Sequence, residues 1–265
     1  MSDFEHDTAV HPRADGGFDC RIAEDWWVVG GPNGGYLAAI VARALEVAAD
    51  GGGRPLRSLT VHYLRAPSAG TARVEVDLER QGRSVTFASA RLVQDERTCL
   101  LALGVLADSR DGFELERATP PAVAAPEELA DAPDRPDPPP VARRLRYRPV
   151  PMGGAGEALT GGWLRLRRAL PLDAPLLVAF CDFWLPAAFM VTREPIPVPT
   201  LELTVHLRAR SPLGSDWILG RFVTETAREG LLEEDGALWS RDGTLLAQSR
   251  QLALSGSPGA GYHRT

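Results

Sequence analysis

The residue of this chain that could carry the most chemistry is a carboxylate set among apolar neighbours. Leu176 to Val191 reads LLVAFCDFWLPAAFMV, sixteen residues whose only charge is Asp182. An acid in such company must be hydrogen-bonded or kept neutral, because burying it unpaired is costly. The run is too short and too interrupted for a membrane span, and its length and pattern predict a core helix. Pro186 lacks the N–H that would close on the carbonyl of Asp182, so the helix is expected to kink or break there, leaving that carbonyl and the acid open to other partners. Two uses of Asp182 follow: a base raised in pKa by its apolar surroundings, or a buried acid held by a hydrogen bond with no chemistry. Cys181 beside it lacks a nearby His and has a carboxylate that raises the thiol pKa, so it reads as a small core residue.

A second candidate is the glycine-rich stretch GGPNGG, Gly30 to Gly35. Leu37, Ile40, Val41, Ala44 and Ala48 fall on one helical face behind it, and Asn33 is placed to cap that helix. The stretch ends in no Lys-Ser/Thr and lacks GxGxxG spacing, so the phosphate-loop reading is the weaker one. The glycines instead let a helix start tight against a sheet or a ligand, with Gly34 and Gly35 closest to that start.

An internal repeat brings further residues in. Leu59-Thr60-Val61-His62 recurs 144 residues on as Leu203-Thr204-Val205-His206. Each copy follows a helix and opens a four-strand meander, so the chain reads as two copies of one helix-plus-sheet unit. A constant shift of 144 sets Ala38 opposite Asp182, Leu56 opposite Thr200, and Val105 to Ala107 around the counterpart of Gln251. The second copy is polar where the first is apolar. Either only the second copy keeps chemistry, or half-exposed positions have drifted.

The elements that must position these residues read mainly as strands. In the first copy they fall at Arg57–Arg65, Thr71–Glu79, Ser84–Gln94 and Thr98–Ala107, the last two joined through Asp95-Glu96-Arg97. In the second they fall at Trp163–Arg168, Leu201–Arg208, Asp216–Thr226, Leu231–Ser240 and Thr244–Leu254, with a hairpin turn at Asp242-Gly243. Short connections between sequential strands predict antiparallel sheets curled round their helices. Between the copies, ten prolines from Thr119 to Pro151 mark an extended surface linker. The expected division is a first unit at 1–115, a linker at 116–158, a second unit at 159–256 and a tail at 257–265.

Of 265 residues, 44% are hydrophobic and 24% charged, as in a globular protein. All 29 basic residues are Arg, which excludes Schiff-base chemistry, and a net charge of −6 without a basic block argues against nucleic acid as a partner. Cys20, Cys99 and Cys181 are too few and too far apart for a disulfide framework or a zinc site, so a reducing cytoplasm is the expected compartment. The N-terminus shows no signal peptide.

The helix entry NGGYLAAIVARAL, the strand QGRSVTFASARL, the acid in CDFW and the hairpin DGTLLAQSRQLAL resemble the double-hotdog acyl-CoA thioesterases of the bacterial thioesterase II type. The resemblance covers nearly the whole chain apart from the linker and tails. It implies an α+β double hotdog, two tandem units each with an antiparallel sheet wrapped round a long helix, and a homodimer. It implies hydrolysis of an acyl-CoA to free acid and CoA, without metal or cofactor, by a water held between an Asp, a Thr or Ser, and a Gln. By position these are Asp182, Thr200 and Gln251, with Gly34, Gly35, Trp184 and Thr204 as substrate contacts. The chain departs from the family pattern near Thr200, where Glu202-Leu203 replaces an acidic-His pair, so Thr204 competes with Thr200 for the hydroxyl role. Both water activation and direct attack by Asp182 stay open. The other readings are an acyl-binding hotdog without turnover and a hotdog dehydratase. A dehydratase wants a catalytic His, whereas His62 and His206 sit at equivalent points of the repeats and suit structural use.

Overall fold

The computed structural model describes residues 3–49, 53–133, 136–192, 196–209, 214 and 216–256; the tail expected at 257–265 lies outside them. The first copy supplies β1 (Phe18–Ile22), α1 (Gly34–Ala48), β2 (Leu56–Tyr63), β3 (Gly70–Gln81), β4 (Val85–Gln94) and β5 (Arg97–Ala107). The second supplies β6 (Leu145–Pro149), β7 (Leu159–Leu166), α2 (Ala174–Phe180), β8 (Thr200–Leu207), β9 (Ile218–Val223), β10 (Leu231–Trp239) and β11 (Leu245–Leu254). These strands join in one antiparallel sheet, in the order β1-β3-β4-β5-β2-β8-β11-β10-β9-β7-β6. The two-residue connection between β4 and β5 places Asp95 and Glu96 at φ 51° and 58°, the left-handed conformation that matches strand twist in a tight hairpin.

The seam between the units is the repeated tetrapeptide itself. β2 pairs with β8 so that Thr60 faces Thr204, Leu59 faces Val205 and Val61 faces Leu203. The Thr60 and Thr204 hydroxyls lie 2.9 Å apart. A pseudo-twofold axis therefore passes through this pair, and the two half-sheets continue into one another across it. That is the double-hotdog architecture, with α1 and α2 inside the curl.

The helices are unequal. α1 has fifteen residues, is capped by Asn33 accepting from the Tyr36 N–H, and is buried from Gly35 through Ala42 and again at Ala44 and Leu45. Its burial on nearly every side explains the lack of a polar face. α2 has only seven residues, is capped by Asp173 and ends at Phe180, so the long second helix expected from the apolar run is not formed. The break falls before Pro186, because the chain tightens into a turn at Cys181 and Asp182 whose N–H groups reach back to Val178 and Ala179.

The expected linker is largely without regular structure up to Leu145, where it becomes the edge strand β6. Trp163, Trp217, Leu219 and Trp239 form an apolar cluster separate from the main core, on alternate positions to the core residues Leu164, Ile218 and Leu238. The indole of Trp163 donates to the Ala124 carbonyl and that of Trp239 to Ala118, which ties the proline-rich stretch over this cluster.

The capping residues also correct the internal register. Asn33 and Asp173 start the two helices, so the helical offset is 140 and the counterpart of Asp182 is Ala42, not Ala38. Leu56 and Thr200 do correspond: both precede the same irregularity in strand pairing. Leu59 pairs with Gly104 and Leu203 with Gln251, so the last strands are offset by 147 and Gly104, not Val105 to Ala107, is the counterpart of Gln251. Insertions between elements have shifted the copies without altering their pairing.

Candidate active site

The break after α2 holds Asp182 against the start of α1. The two aromatics that follow it are anchored: Trp26 stacks between Tyr36 and Phe183, each 5.7 Å away, while Trp184 stacks on Phe222 at 6.4 Å. The Trp184 indole donates to the Thr160 hydroxyl (2.9 Å), and the Phe183 carbonyl accepts from the Tyr147 hydroxyl (2.8 Å). With the segment after it fixed, Asp182 has little freedom.

The Asp182 carbonyl, left free because α2 has already ended, is taken by the Asn33 side-chain amide at 3.0 Å. The same nitrogen donates to Asp182 Oδ2 at 3.0 Å, and the Gly35 N–H donates to that oxygen at 2.8 Å. Asn33 thus caps α1 with its oxygen and grips Asp182 with its nitrogen. A carboxylate at a helix N-terminus is favoured by the unpaired N–H groups and the helix dipole. The contact also dictates glycine: a Cβ on Gly35 would lie 2.7 Å from the Ala179 carbonyl and 2.8 Å from the Asp182 Cβ, and one on Gly34 3.1 Å from Asp182 Oδ2. Gly34 and Gly35 therefore act here through close packing, and the Gly35 N–H is engaged by the protein's own acid. The Tyr63 hydroxyl donates to the Gly34 carbonyl at 2.9 Å and closes this corner.

Burial pushes the Asp182 carboxyl up to about 6, against the opposing pull of the Gly35 N–H and the Asn33 amide. Burial, then the nearby charge of Asp182, holds the Tyr63 phenol well above its ordinary value.

A second cluster stands on the strands. The Thr200 hydroxyl donates to Gln251 Oε1 at 3.1 Å, and Gln251 Nε2 donates to Glu234 Oε1 at 3.0 Å. Glu234 Oε2 accepts from the Ala187 N–H, in the turn just after Pro186. Glu234 is raised to about 7, mainly by burial, with the charge of Asp182 adding to the rise. The structure thus joins Thr200, Gln251 and Glu234 in one hydrogen-bonded row that ends on the Ala187 N–H. Among the described residues no hydrogen bond links Asp182 to Thr200 or Gln251. Thr204 stands on the pseudo-twofold axis, bonded to Thr60 and Glu202, so Thr200 is the hydroxyl beside Gln251. Glu234 was missed in the sequence because β10 reads LLEEDGALW, where three consecutive acids look like a solvated edge. Strand alternation was the available signal: Leu232, Glu234, Gly236 and Leu238 share the inward face.

Residues 23–107 match the model of the acyl-CoA thioesterase N-terminal domain and residues 123–255 that of the acyl-CoA thioesterase C-terminal domain. The chain belongs to the acyl-CoA thioesterase family. An uncharacterised protein of Mycobacterium tuberculosis is 27% identical over 267 residues, covering 89% of this chain and 90% of that protein. A hot dog fold protein of unknown function from Alicyclobacillus acidocaldarius superposes with a TM-score of 0.89 at 26% identity, over 97% of this chain and 99% of that one. A protein of Thermobifida fusca assigned as a thioesterase II gives 0.84 at 25% identity, over 97% and 98%. Among the described residues no helix is long and apolar enough to cross a membrane.

Proposed function

We propose that the chain hydrolyses the thioester of an acyl-CoA, using a water held between Asp182, Thr200 and Gln251. The observation that carries this reading is the hydrogen-bonded Thr200–Gln251 pair, joined through Glu234 to the Ala187 N–H, five residues after the raised carboxylate of Asp182. A thioester is reactive enough that hydrolysis needs a positioned water, a base for its proton and donors for the developing oxyanion. Both bonds to Asp182 that fix its orientation fall on Oδ2, so Oδ1 is the atom assigned to the water proton. Gln251 keeps one Nε2 proton beyond the one given to Glu234, and Thr200 keeps the lone pairs of its hydroxyl; these orient the water oxygen and its second proton.

His62 and His206 are exposed and stand on the sheet seam, which speaks against a His-dependent dehydratase. The further expectations are an acyl-CoA partner, a homodimer and a cytoplasmic location. The deciding experiment is a screen of acyl-CoA hydrolysis across chain lengths, following release of free CoA with a thiol reagent. Release from at least one chain length, lost in Asp182→Asn, is the expected result. Tight acyl-CoA binding without release at any length would favour the acyl-binding reading instead.

A further inference from the structure

We propose that Glu234 is a positioning residue that fixes which way round the Gln251 side-chain amide faces, and so sets the polarity of the water site. The inference rests on the hydrolase reading above and adds a residue to it. Glu234 is only 5% exposed and is the cross-strand partner of Gln251 between β10 and β11. When ionised, its carboxylate can only accept: Oε2 takes the Ala187 N–H and Oε1 takes Gln251 Nε2. Gln251 must then turn Oε1 toward Thr200, and the Thr200 hydroxyl must donate to it. A carboxyl that accepts at both oxygens allows one direction of hydrogen bonding along the whole row, whereas an amide in its place would not.

The first copy shows that the sheet itself does not require this acid. Register places Ala88 opposite Gly104 where the second copy has Glu234 opposite Gln251, and the first half-sheet forms with those two small residues. A buried carboxylate that served only packing would be a costly choice there. The row also starts at Ala187, which opens the short helical turn five residues after Asp182, so Glu234 connects the segment that follows the acid to the strand that bears Gln251. The charge Glu234 feels is that of Asp182.

Glu234→Gln keeps the shape but offers one acceptor where two donors arrive. The Gln251 amide must then turn over, and Thr200 becomes the acceptor. The test compares Glu234→Gln, Gln251→Ala and the double variant for kcat and KM on the acyl-CoA that the wild type hydrolyses fastest. Glu234→Gln is expected to lower kcat by about ten- to a hundredfold, the scale of a hydrogen bond to a charged group, with KM changed by less than about twofold. In the Gln251→Ala background the same change is expected to cost less than about twofold, because its target is gone. Equal losses in both backgrounds would overturn the proposal.

A second measurement needs no turnover and no variant at position 234. The side-chain amide signals of Gln251 in a nitrogen-15 NMR spectrum are identified by their loss in Gln251→Ala. In the wild type they are expected to move together with the Glu234 carboxyl-carbon signal as pH is varied, and amide signals that stay fixed while that carbon signal titrates would overturn the proposal. If the wild type hydrolyses no acyl-CoA, the hydrolase reading falls and the spectrum alone decides whether Glu234 holds Gln251.

Discussion

Asp182→Asn tests the site and its electrostatics together. The asparagine oxygen can take the place of Oδ2 and accept from both the Gly35 N–H and the Asn33 amide, so the break after α2 keeps its contacts. What is lost is the base, and removing a positioned general base lowers a rate by about 10²–10⁴. With Asp182 at about 6 and Glu234 at about 7, the wild-type rate should fall steeply below about pH 6 and level off only above about pH 7, while the variant stays low throughout. Stability moves the other way. A carboxyl whose pKa is raised on folding binds its proton more tightly in the native state, so the protein is favoured below the unfolded pKa of 3.8 and loses that advantage as pH rises through about 6. A rise of roughly two units corresponds to about 3 kcal/mol, taken as an upper scale since the side chain is only partly buried. Asp182→Asn is therefore expected to melt several degrees higher than the wild type at pH 8 and at nearly the same temperature at pH 4. The assay is CoA release from pH 5 to 9 beside thermal melts of both proteins. A variant that keeps its rate within about threefold would refute the role of Asp182 as base, and one that melts lower at pH 8 would refute the electrostatic argument.

Other substitutions probe how the site is held. Thr200→Ala and Gln251→Ala should each lower kcat, and the double variant should lose less than the product of the singles, because the two side chains hold one water. Gly35→Ala puts a methyl within 2.7 Å of the Ala179 carbonyl, so it should cost about 1–3 kcal/mol of stability, read by denaturant unfolding, and also lower activity by pushing α2 from α1. Asn33→Ala should cost about 0.5–2 kcal/mol for the lost cap and release Asp182, which lowers kcat more than a cap variant elsewhere would.

Much of this was legible in the chain because the signals were local. A lone acid in an apolar run, a proline four residues on, alternating strands and an Asn before a helix each report on a few neighbouring residues, and each marked a real element. The free carbonyl of Asp182 was legible for the same reason, though its partner, Asn33, lies 149 positions away. The short α2 was not legible, since a run of Leu, Val, Ala and Phe is consistent with helix throughout and the turn at Cys181 is set by the packing of Phe183 and Trp184. The single offset of 144 failed because it belongs to the strands at the seam; helices and final strands carry their own offsets of 140 and 147. Glu234 stayed hidden because its partners come from a turn and a neighbouring strand, and strand register is not written in the letters.

The corrected register explains why the pseudo-twofold produces one candidate site and not two. The place related to Asp182 is Ala42, in the uninterrupted middle of α1, where the chain has no broken turn to present a carboxylate. Opposite Thr200 and Gln251 stand Leu56 and Gly104, and a Cβ on Gly104 would meet Leu45 at 2.8 Å, so the side chain of Leu45 fills the space that Gln251 occupies in the second copy. At the other end of the helix pair the equivalent of the Asn33–Asp182 contact is an ion pair, Arg43 to Asp173 at 3.0 Å, which ties the N-terminus of α2 to α1 and holds no spare acceptor toward the strands. α1 thus supports the sheet along its full length, while α2 stops early, and the seven residues after it supply the acid, the turn amide and the aromatic anchors. On the proposed hydrolase reading, the shortening of one helix is what makes one copy, and not the other, a place where a water and a thioester can meet.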